Sequence, residues 1–314
     1  MISVVVPIFN EEESLPSFFS RIKKIIPTLS KKYEYIFVDD GSTDASLKLL
    51  KNFVSNEKQA RIFSFRKNLG KAEALNYGFY KAKGNVIVTL DADLQDKPEE
   101  ISKLFTKLNE GFEMVSGWRK NRKDKFYKTL SSKLFNTTVR KMWGINIHDY
   151  NCGLKAYTSE AAKSLHLYGG MHRFIPLLAQ EQGFKVSEVA IEHDIRRFGK
   201  SKYGFSKIFK DLPDMFTLLF LTRYGKRPMH FFSLIGSLFT VIGAIILIYF
   251  EILHTFYAKQ VGDRPLLFIG MLLVIAGFQV ALTGFLADLI VNIFLTETSS
   301  YKHIEQHIKY ASKS

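Results

Sequence analysis

Short apolar runs alternate with amphipathic segments over the first 120 residues of the chain. The apolar runs are rich in β-branched residues and have the length of buried strands, whereas the amphipathic segments carry apolar residues at helical spacing. The predicted strands are 2–7, 33–40, 60–65, 85–90 and 112–117, and the predicted helices between them are 12–26, 44–54, 71–82 and 98–109. This alternation predicts an α/β domain with a mostly parallel sheet and helices on both faces.

The pattern changes in the second half of the chain. A basic helix is predicted at 129–143, a late strand at 185–193, and amphipathic helices at a membrane surface at 206–222. Two apolar runs without a charged residue follow at 231–250 and 265–287. Each run is long enough to cross a bilayer as a helix, which we favour over a pair of buried core helices.

Positive residues flank this pair of runs on one side. They are Arg223, Lys226 and Arg227 before the first run, and Lys302, Lys309 and Lys313 after the second. The intervening segment, 251–264, has no net charge. Because Lys and Arg are enriched on the cytoplasmic side of membrane spans, both termini and the α/β domain are predicted to be cytoplasmic. The expected location is the inner or plasma membrane, and the single Cys152 is consistent with a reducing compartment.

The net charge of +14 comes mainly from two basic segments, 119–141 and 196–227. A basic surface is compatible with nucleic acid or with anionic lipid. Next to two predicted spans, anionic headgroups or a phosphorylated lipid are the better explanation, and no nucleic acid partner is expected.

Acidic side chains follow the predicted strands at the edge where ligands bind in such sheets. Asp91 and Asp93 come directly after the fourth strand, and Asp40 ends the second. Carboxylates together with phosphate oxygens are the ligands that Mg²⁺ prefers, so a metal-assisted phosphate site is one interpretation. A capped turn before Pro98 is the alternative. His148, His172 and His193 lack a metal-ligand spacing and are interpreted as structural.

Several segments, in order, resemble known enzymes. Four segments of the chain resemble segments of the family 2 glycosyltransferases with the GT-A fold: VVVPIFNEEESL, YIFVDDGSTDAS, NLGKAEALNYG and TLDADLQDKPE. Three later segments resemble a narrower group within that family: FGKSKYGFSK, FLTRYGKRPMHFF and VGDRPLL. That group is the membrane-anchored polyprenyl-phosphate glycosyltransferases, which include dolichyl-phosphate mannose synthase and bacterial undecaprenyl-phosphate glucosyltransferases. The resemblance extends to about residue 295.

The resemblance implies a site for a nucleotide-sugar donor. The residues that it places on the donor are Pro7, Phe9, Glu11, Val38, Asp40, Asp91, Ala92 and Gln95. It also implies a divalent cation, Mg²⁺ or Mn²⁺, that is bound by Asp93 with Asp91 beside it and bridges the diphosphate. Both carboxylates are therefore expected to be catalytic.

The resemblance further implies that a lipid phosphate attacks the anomeric carbon. A phosphate monoester is already an anion, so the protein must orient it rather than deprotonate it. The residues expected to bind the acceptor phosphate or the diphosphate are Arg119, Lys128, Arg196 and Lys202. Of these, Arg119 and Lys202 are expected to be catalytic, whereas Lys128 stands where relatives often have Arg. Asp149 is expected to orient a basic residue or to contact the sugar or acceptor. The alternative is that these cations only face anionic lipid.

These observations predict four regions. They are a GT-A domain at 1–205, juxtamembrane helices at 206–228, a two-helix anchor at 229–295 and a tail at 296–314. The predicted reaction is inverting, metal-dependent transfer of a sugar to a polyprenyl phosphate, with a UDP-hexose and undecaprenyl phosphate favoured. A GDP-mannose-dependent synthase is the first alternative. A processive polysaccharide synthase is less favoured because Q-x-x-R-W is absent, and a non-catalytic membrane scaffold is the remaining class. Homo-oligomerisation is left open.

Overall fold

The protein was analysed as a computed structural model. It describes residues 1–120, 137, 140, 143–145, 147–194, 216–217, 220, 222–225, 227–257, 260, 262 and 264–297. The chain divides into two compact units, Met1–Asp214 and Met215–Ser314. The finer boundaries at 205, 228 and 295 stay predictions.

The first unit is built on one seven-stranded sheet with the order β3-β2-β1-β4-β6-β5-β7. Its strands are β1 Ile2–Ile8, β2 Tyr33–Asp39, β3 Ala60–Ser64, β4 Val86–Thr89, β5 Met114–Trp118, β6 Lys155–Thr158 and β7 Val186–Ala190. Neighbouring strands are parallel, except that β6 runs antiparallel to both β4 and β5. The α/β architecture and six of the strands were predicted from the sequence, whereas β6 was not.

Helices connect these strands. They are α1 Leu15–Leu29, α2 Ser46–Ser55, α3 Lys71–Lys81, α4 Ile101–Asn109, α5 Ser159–Ser164 and α6 Ile175–Glu181. Single 3₁₀ turns, Pro98–Glu100 and Met171–Arg173, precede α4 and α6. The prediction that α1 begins at residue 12 is wrong, because the helix begins at Leu15 with Pro16 in its first turn. Proline is favoured there because the first helical N–H groups have no partner within the helix.

The central strands are buried on both faces, which explains why they are continuous apolar runs in the sequence. Val4, Val5 and Val6 of β1 are fully buried. In the parallel registers, Ile8 lies opposite Asp39, and Val5 lies opposite Thr89. The carboxyl ends of β1, β2 and β4 therefore meet at one edge of the sheet, and the polar residues that follow these strands lie there.

The second unit contains two long apolar helices, α7 Pro228–Tyr257 and α8 Pro265–Glu297. They are candidate membrane spans by length and composition, with mean hydropathies of 2.5 for Pro228–Tyr257 and 2.4 for Pro265–Val291. The structure extends both helices beyond the predicted apolar runs. The second candidate span consequently includes Asp288, whereas the run predicted from the sequence ended before it.

Glycines bring α7 and α8 into close contact. A Cβ added at Gly236 would lie 2.5 Å from the carbonyl oxygen of Gly277, and one added at Gly243 would lie 2.7 Å from that of Gly270. Small residues permit such close backbone approach, which strengthens packing between apolar helices in lipid.

Two predicted elements fall mostly on residues that are not described. The basic helix at 129–143 and the amphipathic helices at 206–222 lie largely outside the described ranges.

We expect Gly277→Val to weaken the pairing of α7 and α8. Its Cβ would overlap Thr240 Oγ1 and lie 2.5 Å from the carbonyl oxygen of Gly236. Overpacking of this kind costs about 1–3 kcal/mol. The thermal midpoint in detergent should fall by several degrees. Gly262→Val is the matched control, because a Cβ at Gly262 meets no atom within 4 Å. Equal midpoints for the two variants would contradict close glycine packing.

Candidate active site

An ion pair lies at the carboxyl end of β4. The Lys71 ammonium, at the first residue of α3, donates to both carboxylate oxygens of Asp91, at 2.6 and 2.7 Å. The two side chains are 34% and 30% exposed, so a ligand could reach them. Sequence reasoning found Asp91 but missed Lys71. The only signal was the position of Lys71 at the start of a helix that follows a parallel strand, because such helices begin at the ligand-binding edge.

This ion pair fixes the charge of Asp91. Burial by itself acts to raise the pKa of Asp91, but the charge and hydrogen bonds of Lys71 outweigh burial and lower the pKa. Asp91 is therefore ionised at neutral pH. A cation that approached Asp91 would have to share the carboxylate with the ammonium of Lys71.

Asp40 holds the loop that presents Lys71. The buried carboxylate of Asp40 accepts hydrogen bonds from the backbone N–H groups of Leu69, at 2.7 Å, and Gly70, at 3.0 Å. Gly70 has a φ of 101°, which favours glycine. Asp40 was predicted to contact the nucleotide. In the structure the Asp40 carboxylate also anchors the turn from which Lys71 reaches Asp91.

Asp93 and Gln95 lie in the turn after Asp91. The backbone N–H of Gln95 donates to Asp93 Oδ1 at 3.2 Å, and Leu94 has a left-handed φ of 60°. A positive φ at a bulky residue such as leucine is strained, and such strain is concentrated at functional sites. Asp93 is half-buried, and Ala92 beside it is buried.

Asp96, which sequence reasoning missed, fixes the other end of this turn. One oxygen of its buried carboxylate, Oδ2, accepts hydrogen bonds from the N–H groups of Gly153 and Leu154, both at 3.2 Å. Its backbone forms a β-bridge with His193, and the N–H of Asp194 donates to the carbonyl of Gln95 at 2.9 Å. The turn that carries Asp93 is therefore held between β6 and the segment after β7.

The predicted nucleotide-binding residues from β1 and β2 lie at the same edge. Pro7 and Val38 are opposite each other in the parallel register. The N–H of Glu11 donates to Ser46 Oγ at 2.8 Å, and Glu11 Oε2 accepts from Ser14 Oγ at 3.0 Å. Phe9, which follows β1, is half-buried. The first two loops are thus tied together beside the Asp91 turn.

Arg119 and Asp149 form a second, buried ion pair. The distances from Asp149 to Arg119 Nε and Nη2 are 2.7 and 3.0 Å, and the side chains are only 9% and 4% exposed. Burial acts to lower the pKa of Arg119, but the charge of Asp149 outweighs burial and raises the pKa well above its usual value. Next to the pair, Trp118 stacks on His148 with ring centroids 4.4 Å apart. Asp149 therefore orients Arg119.

The remaining predicted cations, Lys128, Arg196 and Lys202, lie outside the described residues.

The acidic residues suit a metal that takes most of its ligands from a substrate. Within the described ranges, no group of three or more His, Cys, Asp or Glu side chains could hold a metal ion by itself. Mg²⁺ commonly uses one or two carboxylates together with substrate phosphates. Asp93 fits that role, because its half-buried carboxylate lies in a fixed turn beside the Asp91–Lys71 pair. Asp91 fits less directly, since it already binds an ammonium.

Comparison with known proteins assigns the chain to a family. The family model described as glycosyl transferase family 2 matches residues 3–165. Over 312 residues the chain is 35% identical to dodecaprenyl-phosphate galacturonate synthase of Rhizobium johnstonii, covering 98% of the chain and 92% of that protein. Over 295 residues it is 33% identical to undecaprenyl-phosphate 4-deoxy-4-formamido-L-arabinose transferase of Proteus mirabilis, covering 93% and 89%.

Solved structures agree in fold. The structure of glucosyl-3-phosphoglycerate synthase from Mycobacterium tuberculosis with phosphoglyceric acid matches with a TM-score of 0.53 and 22% identity, over 72% of this chain and 79% of that chain. The complex of the same enzyme with Mn²⁺ and UDP-glucose matches with a TM-score of 0.53 and 21% identity, over 71% and 78%. At this identity the match concerns the fold alone. Together with the relatives above, it establishes that the chain belongs to glycosyl transferase family 2 and is a glycosyltransferase with a GT-A-like fold.

Proposed function

We propose that the protein transfers a sugar from a nucleoside diphosphate sugar to a polyprenyl phosphate. The observation that carries the proposal is that Asp93 and the Lys71-paired Asp91 follow the same strand at the carboxyl edge of the sheet. Similarity to two polyprenyl-phosphate sugar enzymes over nearly the whole chain, including both apolar helices, supports a lipid acceptor. A UDP-hexose and undecaprenyl phosphate are the favoured substrates, and GDP-mannose is the alternative donor.

The donor would lie across the carboxyl ends of β1, β2 and β4. Pro7, Phe9, Glu11 and Val38 would line the pocket for the base and ribose. Asp40 would border that pocket while it holds the loop of Lys71. Asp91, Ala92 and Gln95 would lie near the sugar and diphosphate. Lys71 adds a cation that can approach the diphosphate from the start of α3.

Asp93 would hold Mg²⁺ or Mn²⁺. When bound, the ion supplies Lewis-acid stabilisation of the negative charge on the departing diphosphate. The mycobacterial enzyme with the same fold was solved with Mn²⁺ and UDP-glucose, which supports the use of a divalent cation in general.

Inversion follows from a single displacement. An oxygen of the lipid phosphate forms a bond to the anomeric carbon, the bond from that carbon to the diphosphate oxygen breaks, and a nucleoside diphosphate leaves. No general base is needed, because the attacking phosphate is already anionic. Arg119 would orient that phosphate or the diphosphate with the donors that Asp149 leaves available, since a guanidinium has five N–H groups. Lys128, Arg196 and Lys202 would complete the cationic surface.

The membrane arrangement completes the proposal. The two apolar helices would anchor the enzyme in the inner or plasma membrane, with the catalytic domain and both termini in the cytoplasm. The polyprenyl phosphate would then reach the site from the inner leaflet.

The direct test is a transfer assay with the detergent-purified full-length protein. Undecaprenyl phosphate, Mg²⁺ or Mn²⁺ and radiolabelled UDP- and GDP-sugars are supplied, and label is measured in the organic phase. The panel contains UDP-glucose, UDP-N-acetylglucosamine, UDP-galacturonic acid and GDP-mannose. We expect one donor to label the lipid and EDTA to abolish transfer. Failure of every donor with folded protein and metal present would contradict the proposed function.

Asp93→Ala should lower the transfer rate at least about 100-fold, because the metal would lose its protein ligand. The thermal midpoint should change little, since Asp93 is half-buried in a turn. Glu110→Ala is the matched control, because it removes an exposed carboxylate that pairs with neighbouring Lys107 at the end of α4. A normal rate of metal-dependent transfer by Asp93→Ala would place the metal elsewhere.

Asp149→Asn should destabilise the protein by leaving the buried Arg119 guanidinium without its counter-charge. Breaking a buried ion pair from one side costs about 3–5 kcal/mol, whereas replacing both partners costs much less. The thermal midpoint of Arg119→Met/Asp149→Leu should therefore lie above that of Asp149→Asn. If Asp149 also orients Arg119 for the reaction, both variants lose transfer activity. A midpoint of the double variant no higher than that of Asp149→Asn would show that loss of the counter-charge is not what destabilises Asp149→Asn.

A further inference from the structure

A small cavity lies beneath the Asp91–Lys71 pair. Its volume is about 10 Å³, and its polar lining comes from Lys71, Thr89, Asp91, Lys155 and His172. A space of this size accommodates one water-sized group. Two of these lining side chains, Lys71 and Asp91, are about one-third exposed to solvent. The cavity is therefore adjacent to the part of the site that a substrate can reach.

His172 contributes a ring nitrogen that lacks a partner within the described part of the chain. Its Nδ1 is buried and makes no hydrogen bond to any described residue. Burial, with the charges of Lys71 and Arg173, lowers the pKa of His172 to about 3, so the ring is neutral at pH 7. In a neutral imidazole one ring nitrogen donates and the other accepts, so Nδ1 can pair with a group that does either.

Lys155 contributes hydrogen-bond donors to the same cavity. Lys155 lies on β6, opposite Thr89 of β4 and Ser116 of β5, and is only 3% exposed. Its ammonium donates to the carbonyl of Cys152. Since an ammonium has three N–H donors, further donors remain for a group in the cavity. A buried lysine is rare unless it is paired, so its presence here calls for an acceptor.

These groups match one chemical class. A hydroxyl both donates and accepts hydrogen bonds, so it can pair with His172 Nδ1 whether or not that nitrogen carries the proton, and it can accept from the Lys155 ammonium. A carboxylate could only accept, and it would lie next to the carboxylate of Asp91, which lines the same cavity. A methyl or methylene group would leave both kinds of group unpaired, which is costly in a buried site. Sugars carry several hydroxyls, and the sugar of the proposed donor would lie beside Asp91.

We propose that this cavity receives one hydroxyl of the donor sugar, with His172 Nδ1 and the Lys155 ammonium as its hydrogen-bond partners. His172 thereby helps to determine which sugar is used. A sugar that lacks this hydroxyl, or directs it elsewhere, would leave buried polar groups unsatisfied, which is how sites that bind a hydroxyl reject analogues. This inference rests on the proposed function, since it needs a nucleotide-sugar donor.

The test compares donor binding with and without each hydroxyl. UDP-glucose, or whichever panel donor labels the lipid, is titrated calorimetrically into the full-length protein beside its monodeoxy analogues and the free nucleoside diphosphate. We expect one analogue to bind about 10- to 100-fold more weakly than the parent donor. This part of the experiment needs no variant and therefore holds even if variants fold poorly.

Variants at His172 then identify the partner of that hydroxyl. His172→Leu should weaken binding of the parent donor by a similar factor, cause no further loss for the critical analogue, and leave nucleoside diphosphate binding unchanged. His172→Asn should retain most of the affinity, because the asparagine Oδ1 can take the place of Nδ1. The exposed His166→Leu is the matched control. Thermal midpoints identify any variant that is misfolded.

Two outcomes would overturn the inference while the proposed function stands. The first is that the wild-type protein transfers label but binds all monodeoxy donors within about threefold of the parent, so that the cavity holds only a water molecule. The second is that His172→Leu weakens parent donor, critical analogue and free nucleotide equally. If no panel donor is transferred, the proposed function itself fails, which the transfer assay reveals separately.

Discussion

The hydrogen-bonded ion pair between Lys71 and Asp91 joins two elements at the edge of the sheet where the polar residues lie. Asp91 follows the central strand β4, and Lys71 begins α3, so the pair fixes the start of a helix against the end of a strand. Asp40 acts on the same contact from β2, because its carboxylate binds the N–H groups immediately before Lys71. The ends of β2 and β4 and the start of α3 are thereby set relative to each other before any substrate binds, which is the preorganisation that electrostatic catalysis requires.

Cations and carboxylates lie together in this region. Lys71, Lys155 and Arg119 supply cations, and Asp91, Asp96 and Asp149 supply carboxylates. Burying unpaired charges would cost several kcal/mol for each ion, so the cations and carboxylates must be arranged together. The antiparallel strand β6 makes this possible. It carries Lys155, its preceding turn gives two N–H groups to Asp96, and Asp149 lies just before that turn. Strand β6 and the turn before it thus add a group of polar side chains and N–H groups next to the edge that the parallel strands form.

The sequence predicts the parallel part of the sheet well, because strands buried on both faces are continuous runs of β-branched and aromatic residues. It does not predict β6, whose four residues include Lys155 and are too short for a clear periodicity. Asp91 and Asp93 are predictable as polar residues that follow an apolar strand. Lys71 and Asp96 are not, because their roles depend on partners 20 and 57 residues away that only the folded chain brings together. Lys155 is not predictable either, because it lies on the unpredicted strand β6. Asp149 lies between these cases, since an orienting role was predicted but its partner was not. The roles of Lys128, Arg196 and Lys202 stay predictions.

The length of α8 has a mechanical consequence. Its 33 residues make a helix about 50 Å long, whereas the hydrocarbon core of a typical bilayer is about 30 Å thick. Tilting cannot absorb the whole difference, because spans seldom tilt by more than about 40°. In a bilayer, the excess turns must emerge into the headgroup region or beyond. Asp288 is a charged residue near the end of the second candidate span, so the turns around it are suited to the headgroup region. The number of helical turns outside the hydrocarbon core then depends on the local thickness of the bilayer. Membranes of different composition would therefore expose different lengths of this helix to the aqueous phase.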